Sequence, residues 1–153
     1  MPTRPMTNPE SSAPQGISVR VLGAHTPLAR EDIHRLLETN GDRVRDSRLA
    51  RLMACAKILI LHRAQLVGLV AYRNVRDELC VCELAISPDA GCDAEWIVDA
   101  ALDALELACL ASGARRMVVA ARAGTYLPAL WYHGFTRIDE HSPRSRFERR
   151  FQY

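Results

Sequence analysis

Alternating hydrophobic and polar positions begin the patterned part of the chain. Ile17, Val19 and Val21 are separated by single polar residues, and this period of two predicts a β-strand. Residues 1–15, which precede the strand, contain four of the eight prolines and almost no large apolar side chain. Such a segment buries too little apolar surface to offset the entropy cost of ordering. We therefore expect residues 1–15 to be a disordered leader and residues 16–153 to form one domain.

Two stretches with helical spacing follow this strand. The first runs from a Thr-Pro start signal at residues 26–27 to an Asn-Gly stop signal at residues 40–41. Its apolar stripe consists of Ile33, Leu36 and Leu37. The second covers about residues 43–55, with Leu49, Leu52 and Met53 on one side and Arg45, Arg48 and Arg51 on another. An arginine stripe of this kind is typical of a solvated helix face.

Three apolar runs with short connections come next. They cover residues 57–63, 66–75 and 78–87 and are rich in Val, Ile and Leu, which predicts an antiparallel meander of three strands. Residues 88–91 end the third run, and a long helix is predicted over residues 93–112. Its continuous apolar stripe must pack on the sheet.

The last part of the chain predicts a strand at residues 115–122, a short helix at 126–133, and strands at 135–138 and 144–151. Because the long helix separates residues 115–122 from the preceding strand, we expect a crossover that places these two strands parallel. The predicted order is βααβββαβαββ without an internal repeat. The fold class is therefore α+β, built around a mixed sheet.

Composition limits the class of protein without changing this fold. A chain of 153 residues, 48% hydrophobic and 25% charged, has the make-up of one soluble globular domain. It contains no uninterrupted apolar run of about 18 residues, the length that indicates a membrane span. The net charge of +2 argues against a dedicated nucleic-acid binder. Arginine supplies every basic residue except Lys57, which reflects either GC-rich codon usage or guanidinium groups that bind carboxylates or phosphates.

The cysteines and histidines predict neither disulfides nor a metal site. The cysteines form an odd set without a CxxC pair: Cys55, Cys80, Cys82, Cys92 and Cys109. The histidines occur singly along the chain. The N-terminal residues lack the charged start and apolar segment of a secretion signal. We therefore expect reduced thiols in a cytoplasmic protein that binds no metal.

Two short motifs, in register with this order of elements, carry a resemblance to a known family. The first is ELAISP at residues 83–88, where the fourth strand ends in an apolar residue, one further residue and proline. The second is Gly134-Phe135, at the end of the short helix. Over residues 17–151 the chain resembles the GNAT acyltransferase superfamily. The resemblance implies a GNAT-like mixed, mostly antiparallel central sheet with helices on both faces.

The resemblance also implies a binding site for acetyl-CoA or a related acyl thioester. In the family, the strands that match residues 78–87 and 115–121 splay apart. The pantetheine arm lies between them on main-chain groups, here around Ala85 and Ile86. The pyrophosphate binds at the start of the long helix, where free N–H groups and the helix dipole attract an anion. The implied cofactor-binding residues there are Gly91, Cys92, Asp93 and Ala94, with Tyr126 as a further candidate.

The start of the long helix departs from the family pattern. The family has Arg or Gln, two residues, Gly, one residue, and then Gly or Ala. Here Gly91 takes the Arg/Gln position, Ala94 that of the first glycine and Trp96 that of the second. Four acidic residues also crowd this segment: Asp89, Asp93, Glu95 and Asp99. Carboxylates stabilise a helix start by about 0.3–1 kcal/mol each, but they repel a pyrophosphate and compete for its N–H donors.

Residues for acyl transfer are implied by the same resemblance. Glu83 matches a position where such enzymes often hold the general base that takes a proton from the attacking amine. Alternatively, it is a polar residue on a solvated strand face. The family's acid is commonly a tyrosine at the position of Leu130, so Tyr132 and His133 are the candidates here, with packing and a partly exposed helix-end imidazole as their alternatives. Cys92 is a nucleophile candidate at a helix start, which its acidic neighbours disfavour.

The sequence therefore predicts an N-acyltransferase that moves an acetyl or other acyl group from a CoA thioester to an amine of a small molecule or peptide by direct attack. The alternatives are a GNAT-fold binding or regulatory module without catalysis, and an acyltransferase that uses acyl carrier protein. An acidic protein partner is expected at two arginine-rich faces, formed by Arg45, Arg48 and Arg51 and by Arg144, Arg146 and Arg150. We expect no nucleic-acid or membrane partner, and a homodimer formed through exposed strands.

Overall fold

Residues 16–23, 30–39, 44–88, 94–122, 127–141 and 144–151 are described by a computed structural model. In these ranges seven strands and four helices follow one another as β1 (Ile17–Leu22), α1 (Arg30–Thr39), α2 (Asp46–Ala54), β2 (Ala56–His62), β3 (Gln65–Val75), β4 (Glu78–Ile86), α3 (Ala94–Ser112), β5 (Arg116–Arg122), α4 (Leu127–Tyr132), β6 (Thr136–His141) and β7 (Arg144–Arg150). The predicted order and the α+β class are confirmed. The expected leader at residues 1–15 and the helix signals at residues 26–27 and 40–41 lie outside the described residues.

The described strands form a seven-stranded sheet in the order β1-β2-β3-β4-β5-β7-β6. Every neighbouring pair is antiparallel except β4 and β5, which run parallel because α3 crosses over between them. This confirms the mixed, mostly antiparallel sheet and the orientation expected for β5. Among the helices that the structure describes, none is both long and apolar enough to span a bilayer.

Helices cover both faces of the sheet, as the resemblance implies. On one face, α1 and α2 pack on β2, β3 and β4 through Ile33, Leu36, Leu37, Leu49 and Leu52. On the other face, α3 and α4 pack through Ile97, Ala101, Leu102, Leu105 and Leu130. The central strands β2 and β3 are therefore near-continuous apolar runs rather than alternating ones, since both of their faces are buried.

The ends of α2 differ from the sequence prediction. The helix begins at Asp46 rather than near residue 43, because Arg45 is extended (φ −91°, ψ 151°) and its carbonyl accepts the N–H of Leu49 at 3.0 Å. The helix ends at Ala54 because Cys55 is extended as well. Both boundaries are set by backbone conformation, which the spacing of apolar residues does not report.

β6 is longer than the strand predicted at residues 135–138. It begins at Thr136 and continues to His141, because its register with β7 extends to the pair His141↔Arg144. The polar residues 139–141, which extend the strand, show no alternation of apolar and polar positions in the sequence. Pairing with β7 therefore sets its length.

Lys57 is fully buried at the C-terminal end of α2. Its Nζ donates to the carbonyl oxygens of Met53 at 2.8 Å and Cys55 at 2.6 Å. Burial lowers the pKa of Lys57 below its usual range, while carbonyls at a helix end favour a cation. The side chain thus ties the end of α2 to β2 and holds this helix in place on the sheet.

Gly68 lets α3 approach the sheet closely. It lies in β3 opposite Ile60 of β2. A Cβ added at this position would lie 2.9 Å from Cγ2 of Ile97 in α3 and 3.1 Å from side-chain atoms of Ile60. Both neighbours are β-branched and buried, so neither can turn away easily. The contact between α3 and β3 therefore depends on the absence of a side chain at residue 68.

The cysteines within the described ranges are free thiols: Cys55, Cys80, Cys82 and Cys109. Cys80 in β4 is half-buried, and its Sγ donates to Oε1 of Glu78 at 3.2 Å. Burial first, and the Glu78 carboxylate second, raise the pKa of Cys80 to about 11. A thiol with so high a pKa is a poor nucleophile at neutral pH, which supports a packing role for Cys80. Cys92 lies outside the described residues.

Replacement of Gly68 by alanine is expected to lower the free energy of unfolding by about 1–3 kcal/mol, the usual cost of overpacking a core. The smaller entropy of the unfolded chain would by itself stabilise the variant by about 0.4–1 kcal/mol. A net loss of stability therefore shows that steric crowding at residue 68 outweighs this entropy effect. Urea unfolding measures it. The same substitution in an Ile97→Ala background, where Cγ2 is absent, should cost less, and an equal cost in both backgrounds would contradict this explanation.

Cys80 should react with iodoacetamide at pH 8.5 about tenfold more slowly in the folded than in the unfolded chain, because a pKa raised from 9.0 to about 11 lowers the thiolate fraction about 100-fold while a thiolate of higher pKa is more nucleophilic. Peptide mass spectrometry after timed alkylation measures the rate. The folded state holds this proton more tightly, so the associated stability is present below pH 9 and is lost as the pH rises through 11. Glu78→Gln removes the carboxylate and should accelerate alkylation. A folded chain that reacts at the unfolded rate would refute the assignment.

Candidate active site

β4 and β5 run side by side over only four residue pairs and then separate. Their parallel register extends from Glu78↔Arg116 to Val81↔Val119, while β4 continues to Ile86 along β3 and β5 continues along β7. Within the described residues, the second half of β4 therefore has a strand partner on its β3 side and none on its β5 side. This divergence matches the splay that the resemblance implies, and it leaves one edge of β4 without a paired strand in the described part of the sheet.

A β-bulge lies where the divergence begins. Tyr72 of β3 pairs with Val81 and Ala71 pairs with Glu83, so Cys82 is an extra residue in β4. A bulge interrupts the alternation of side chains between the two faces of a strand. As a result, two consecutive residues lie on the side of α1 and α2, since Cys82 packs against that core and Glu83 contacts α2.

Glu83 is buried and forms an ion pair with Arg48 of α2. The residue is 7% exposed, and its Oε1 accepts a hydrogen bond from Nη2 of Arg48. The alternative of a solvated strand residue is therefore wrong, because α2 covers the carboxylate. The solvated-face interpretation is also wrong for Arg48, whose side chain is 19% exposed. It is correct for Arg45 and Arg51, which are exposed.

The ion pair leaves Glu83 able to do chemistry. Arg48 supplies the charge compensation that a buried carboxylate needs, and the contact between them involves Oε1. An ionised carboxylate has further lone pairs on its second oxygen. Glu83 can therefore accept a proton or a hydrogen bond from a group that enters beside it, while Arg48 fixes its orientation.

A cavity of about 530 Å³ lies beside this ion pair. Its volume is in the range of small-molecule sites. It is lined by Arg48, Arg51, Leu52, Ala54, Cys55, Arg73, Cys82 and Glu83. In its wall the Sγ atoms of Cys55 and Cys82 lie 3.9 Å apart, and burial raises the pKa of Cys55. The cavity thus combines three guanidinium groups, one carboxylate and an apolar wall.

Of the other two predicted catalytic residues, His133 contacts α3, on the opposite face of the sheet from α2. Nε2 of His133 lies 3.0 Å from Oδ1 of Asp99, and Nδ1 lies 3.7 Å from Oδ1 of Asp103. The imidazole is largely buried, unlike the partly exposed ring considered as its alternative. Tyr132 is exposed and packs edge-on against it. The structure brings Tyr132 and His133 together, and within the described residues neither contacts Glu83.

The positions of Asp99 and Leu130 change what is expected of the phosphate site and of the proton donor on the α3 side of the sheet. Asp99 was one of four acidic residues expected to crowd a phosphate site, but its carboxylate contacts His133. Leu130, at the position of the family's tyrosine, is fully buried in the core beside Phe135. A core position of this kind holds the short helix against the sheet and offers no group for proton transfer.

The predicted cofactor-binding residues are described only in part. Ala85 and Ile86 lie on the diverging half of β4 and are buried, and Ala94 is the first residue of α3. Outside the described residues lie Gly91, Cys92, Asp93 and Tyr126. The described part of the implied cofactor site is therefore the backbone of β4 and the first residue of α3. In the same part of the chain, no three His, Cys, Asp or Glu side chains converge as metal ligands would.

The sequence did not predict that Arg73 and Arg48 line this cavity, and the reason differs between the two residues. Arg73 reaches the cavity because residues 69, 71 and 73 of β3 share the face under α2, and this period of two was a signal that could have identified it. Arg48 was recognised only as part of a stripe. Its pairing with Glu83, 35 residues away, is set by the docking of α2 on the sheet, and no local pattern encodes it.

Comparison with known proteins identifies the fold. No protein-family model matches the chain, and no curated protein matches its sequence. An acetyltransferase from Streptococcus agalactiae matches with a TM-score of 0.71 and 12% identity, over 90% of this chain and 99% of that chain. Ribosomal-protein-S18-alanine N-acetyltransferase from Escherichia coli matches with a TM-score of 0.67 and 11% identity, over 86% and 91% of the two chains.

A third match is N-acetylglutamate synthase from Neisseria gonorrhoeae, in complex with coenzyme A and N-acetyl-glutamate. It has a TM-score of 0.64 and 18% identity, over 90% of this chain and 35% of that chain. The present chain thus spans about a third of the length of the synthase. The similarity to all three lies in the arrangement of strands and helices, since few residues are identical. This chain has the fold of the GNAT acetyltransferases.

Proposed function

We propose that this chain is an N-acyltransferase that transfers an acetyl or other acyl group from a CoA thioester to an amine. The observation that carries the proposal is the divergence of β4 from β5 beside the buried carboxylate of Glu83. An open strand edge, a carboxylate and a cavity of small-molecule size meet at this point. The gonococcal relative, which shares the fold, was solved with coenzyme A and an N-acylated amine.

The open edge of β4 fits the arm of an acyl thioester. The N–H and C=O groups of residues 82–86 that point towards β5 have no ladder partner within the described residues, and buried backbone groups need partners. An extended chain that carries amide groups can supply them as an added strand does. When bound, the donor supplies a thioester carbonyl carbon that an amine can attack. The main chain around Ala85 and Ile86 holds and orients that arm.

Glu83 is proposed as the general base. The amine nitrogen forms the new amide bond as the carbon–sulfur bond breaks, and the proton of the amine passes to the carboxylate of Glu83. The departing thiolate takes up a proton, for which Tyr132 and His133 remain the proposed donors. Arg48 binds Oε1 of Glu83. The orientation of the carboxylate, and with it the position of the second oxygen, is therefore fixed by Arg48 rather than by solvent.

A binding or regulatory module without catalysis is the second candidate. The observation in its favour is again Arg48, whose guanidinium competes with a substrate amine for Glu83. In such a module the ion pair would serve only to join α2 to β4. The two candidates therefore differ in whether the carboxylate of Glu83 affects turnover.

Acetyl-CoA should raise the melting temperature of the full chain. A ligand present at 100 times its Kd adds about 2.7 kcal/mol to the free energy of unfolding. Acetyl-pantetheine, which lacks the nucleotide, should also stabilise the chain, because the edge of β4 contacts the arm that both compounds share. Differential scanning fluorimetry measures both. Stabilisation by the pantetheine thioester alone would favour acyl carrier protein as the donor, and no shift with either thioester would contradict the proposal.

Glu83→Gln should lower kcat by about 10²–10⁴-fold, the usual contribution of a general base. Release of free CoA thiol from acetyl-CoA, followed over a panel of amines, measures turnover. Glu78→Gln is the matched control, because Glu78 lies on the paired half of the same strand and contacts Arg116 at 2.8 Å. The thermal shift with acetyl-CoA reports whether each variant still folds and binds donor. A folded Glu83→Gln variant with unchanged turnover would exclude Glu83 as the base.

A further inference from the structure

We infer that the acceptor is a small amine that carries a carboxylate, and that Arg51 and Arg73 bind this carboxylate in the cavity beside Glu83. The inference rests on the proposed function, because it names the acceptor class for the same site. It comes from two charges that line the cavity and that the proposed acyl transfer does not use, those of Arg51 and Arg73.

Two of the positive charges at the cavity have no acidic partner among the residues that the structure describes. Three guanidinium groups and one carboxylate line it, and the ion pair between Arg48 and Glu83 joins one of each. Within the described residues, neither the Arg51 nor the Arg73 guanidinium group forms a salt bridge or a hydrogen bond. Two like charges at one cavity repel each other, and a bound anion relieves that repulsion. The cavity therefore favours an anionic ligand.

Arg51 and Arg73 come from different elements and converge on one space. Arg51 lies in the last turn of α2, and Arg73 lies in β3 on the face that α2 covers. Elsewhere on the sheet, Arg116 of β5 contacts both Glu78 and Glu148, so there the protein itself supplies the carboxylates. At the cavity, Glu83 is the one acidic residue that the described part of the chain supplies, and it is already paired with Arg48. A carboxylate on the ligand can supply the missing partner for Arg51 and Arg73.

The chemistry and size of the cavity define the ligand. A guanidinium group binds a carboxylate through two parallel hydrogen bonds. A volume of about 530 Å³ accommodates a small molecule. Leu52 and Ala54 offer apolar surface to a short carbon chain. An amine with a carboxylate at its other end thus places its amine at Glu83 and its carboxylate at Arg51 and Arg73.

Matched pairs of acceptors test this assignment. L-Glutamate and β-alanine are compared with L-glutamic acid diamide and β-alaninamide, which keep the amine and lose the carboxylates. We expect the wild-type kcat/KM, followed by CoA thiol release, to favour the acids by at least about tenfold. Arg51→Gln and Arg73→Gln should each lower the kcat/KM for the acids by about ten- to hundredfold, mainly through KM, and leave the amides unchanged. Arg45→Gln is the control, because Arg45 is exposed beside the same helix and does not line the cavity.

A binding measurement separates this inference from the proposed function. Isothermal titration with L-glutamate in the absence of donor should show binding to the wild type and to Arg45→Gln, and loss of binding to the Arg51→Gln/Arg73→Gln double variant. If that pattern holds while no amine is acylated, the anion site stands and acyl transfer fails. If amines are acylated but acids and amides react alike, acyl transfer stands and the anion site is overturned. If carboxylates neither bind nor react preferentially, the anion site is overturned whatever the donor does.

Discussion

The candidate site depends on one extra residue in β4. Cys82 has no counterpart in β3, and a bulge of this kind increases the local twist of a strand and redirects its side chains. Before the bulge, β4 pairs with β5 up to Val81; after it, β4 follows β3 alone. The same irregularity turns Glu83 towards α2. The same bulge thus lies where β4 loses its pairing with β5 and where the carboxylate of Glu83 comes to lie beside the open edge.

The position of α2 then determines what that carboxylate can do. Arg48 contacts Glu83 from this helix, and a buried ion pair contributes little net stability while fixing the geometry of its members. Stability at this helix comes instead from Leu49 and Leu52 in the core and from Lys57, whose Nζ holds the C-terminal carbonyls. The apolar contacts and Lys57 fix the position of α2 on the sheet. Arg48 of this helix in turn orients the carboxylate of Glu83. On the other face, Gly68 allows α3 to pack equally closely.

The fold could be predicted further than the site, and the physical reason is the range of the interactions involved. Periodicity reports which side of an element is apolar, so the order of strands and helices followed from residues within each segment. Arg45, Arg48 and Arg51 have the same local pattern, yet only Arg48 is paired in the cavity, since α2 packs on the sheet at an angle that its own sequence does not encode. Glu83 could be identified as a candidate by resemblance. Its burial depends on Cys82 and α2, which are brought to it by tertiary structure.

Although the net charge of the chain is near neutral, positive and negative side chains lie on different sides of the sheet. This separation of charge affects both proposed substrates. Arg51 and Arg73 make the cavity on the α2 side positive, while Asp99 and Asp103 hold the α3 side acidic around His133. In the proposed reaction, a carboxylate on the acceptor is attracted to its cavity, whereas phosphates of the donor gain little from the acidic residues near the start of α3. The donor would therefore be held chiefly by uncharged contacts with the edge of β4, which salt does not screen, and the acceptor by charges that salt does screen. Under this proposal, rising ionic strength should weaken the binding of the acceptor before that of the donor, because the two ligands would be held by different physical forces.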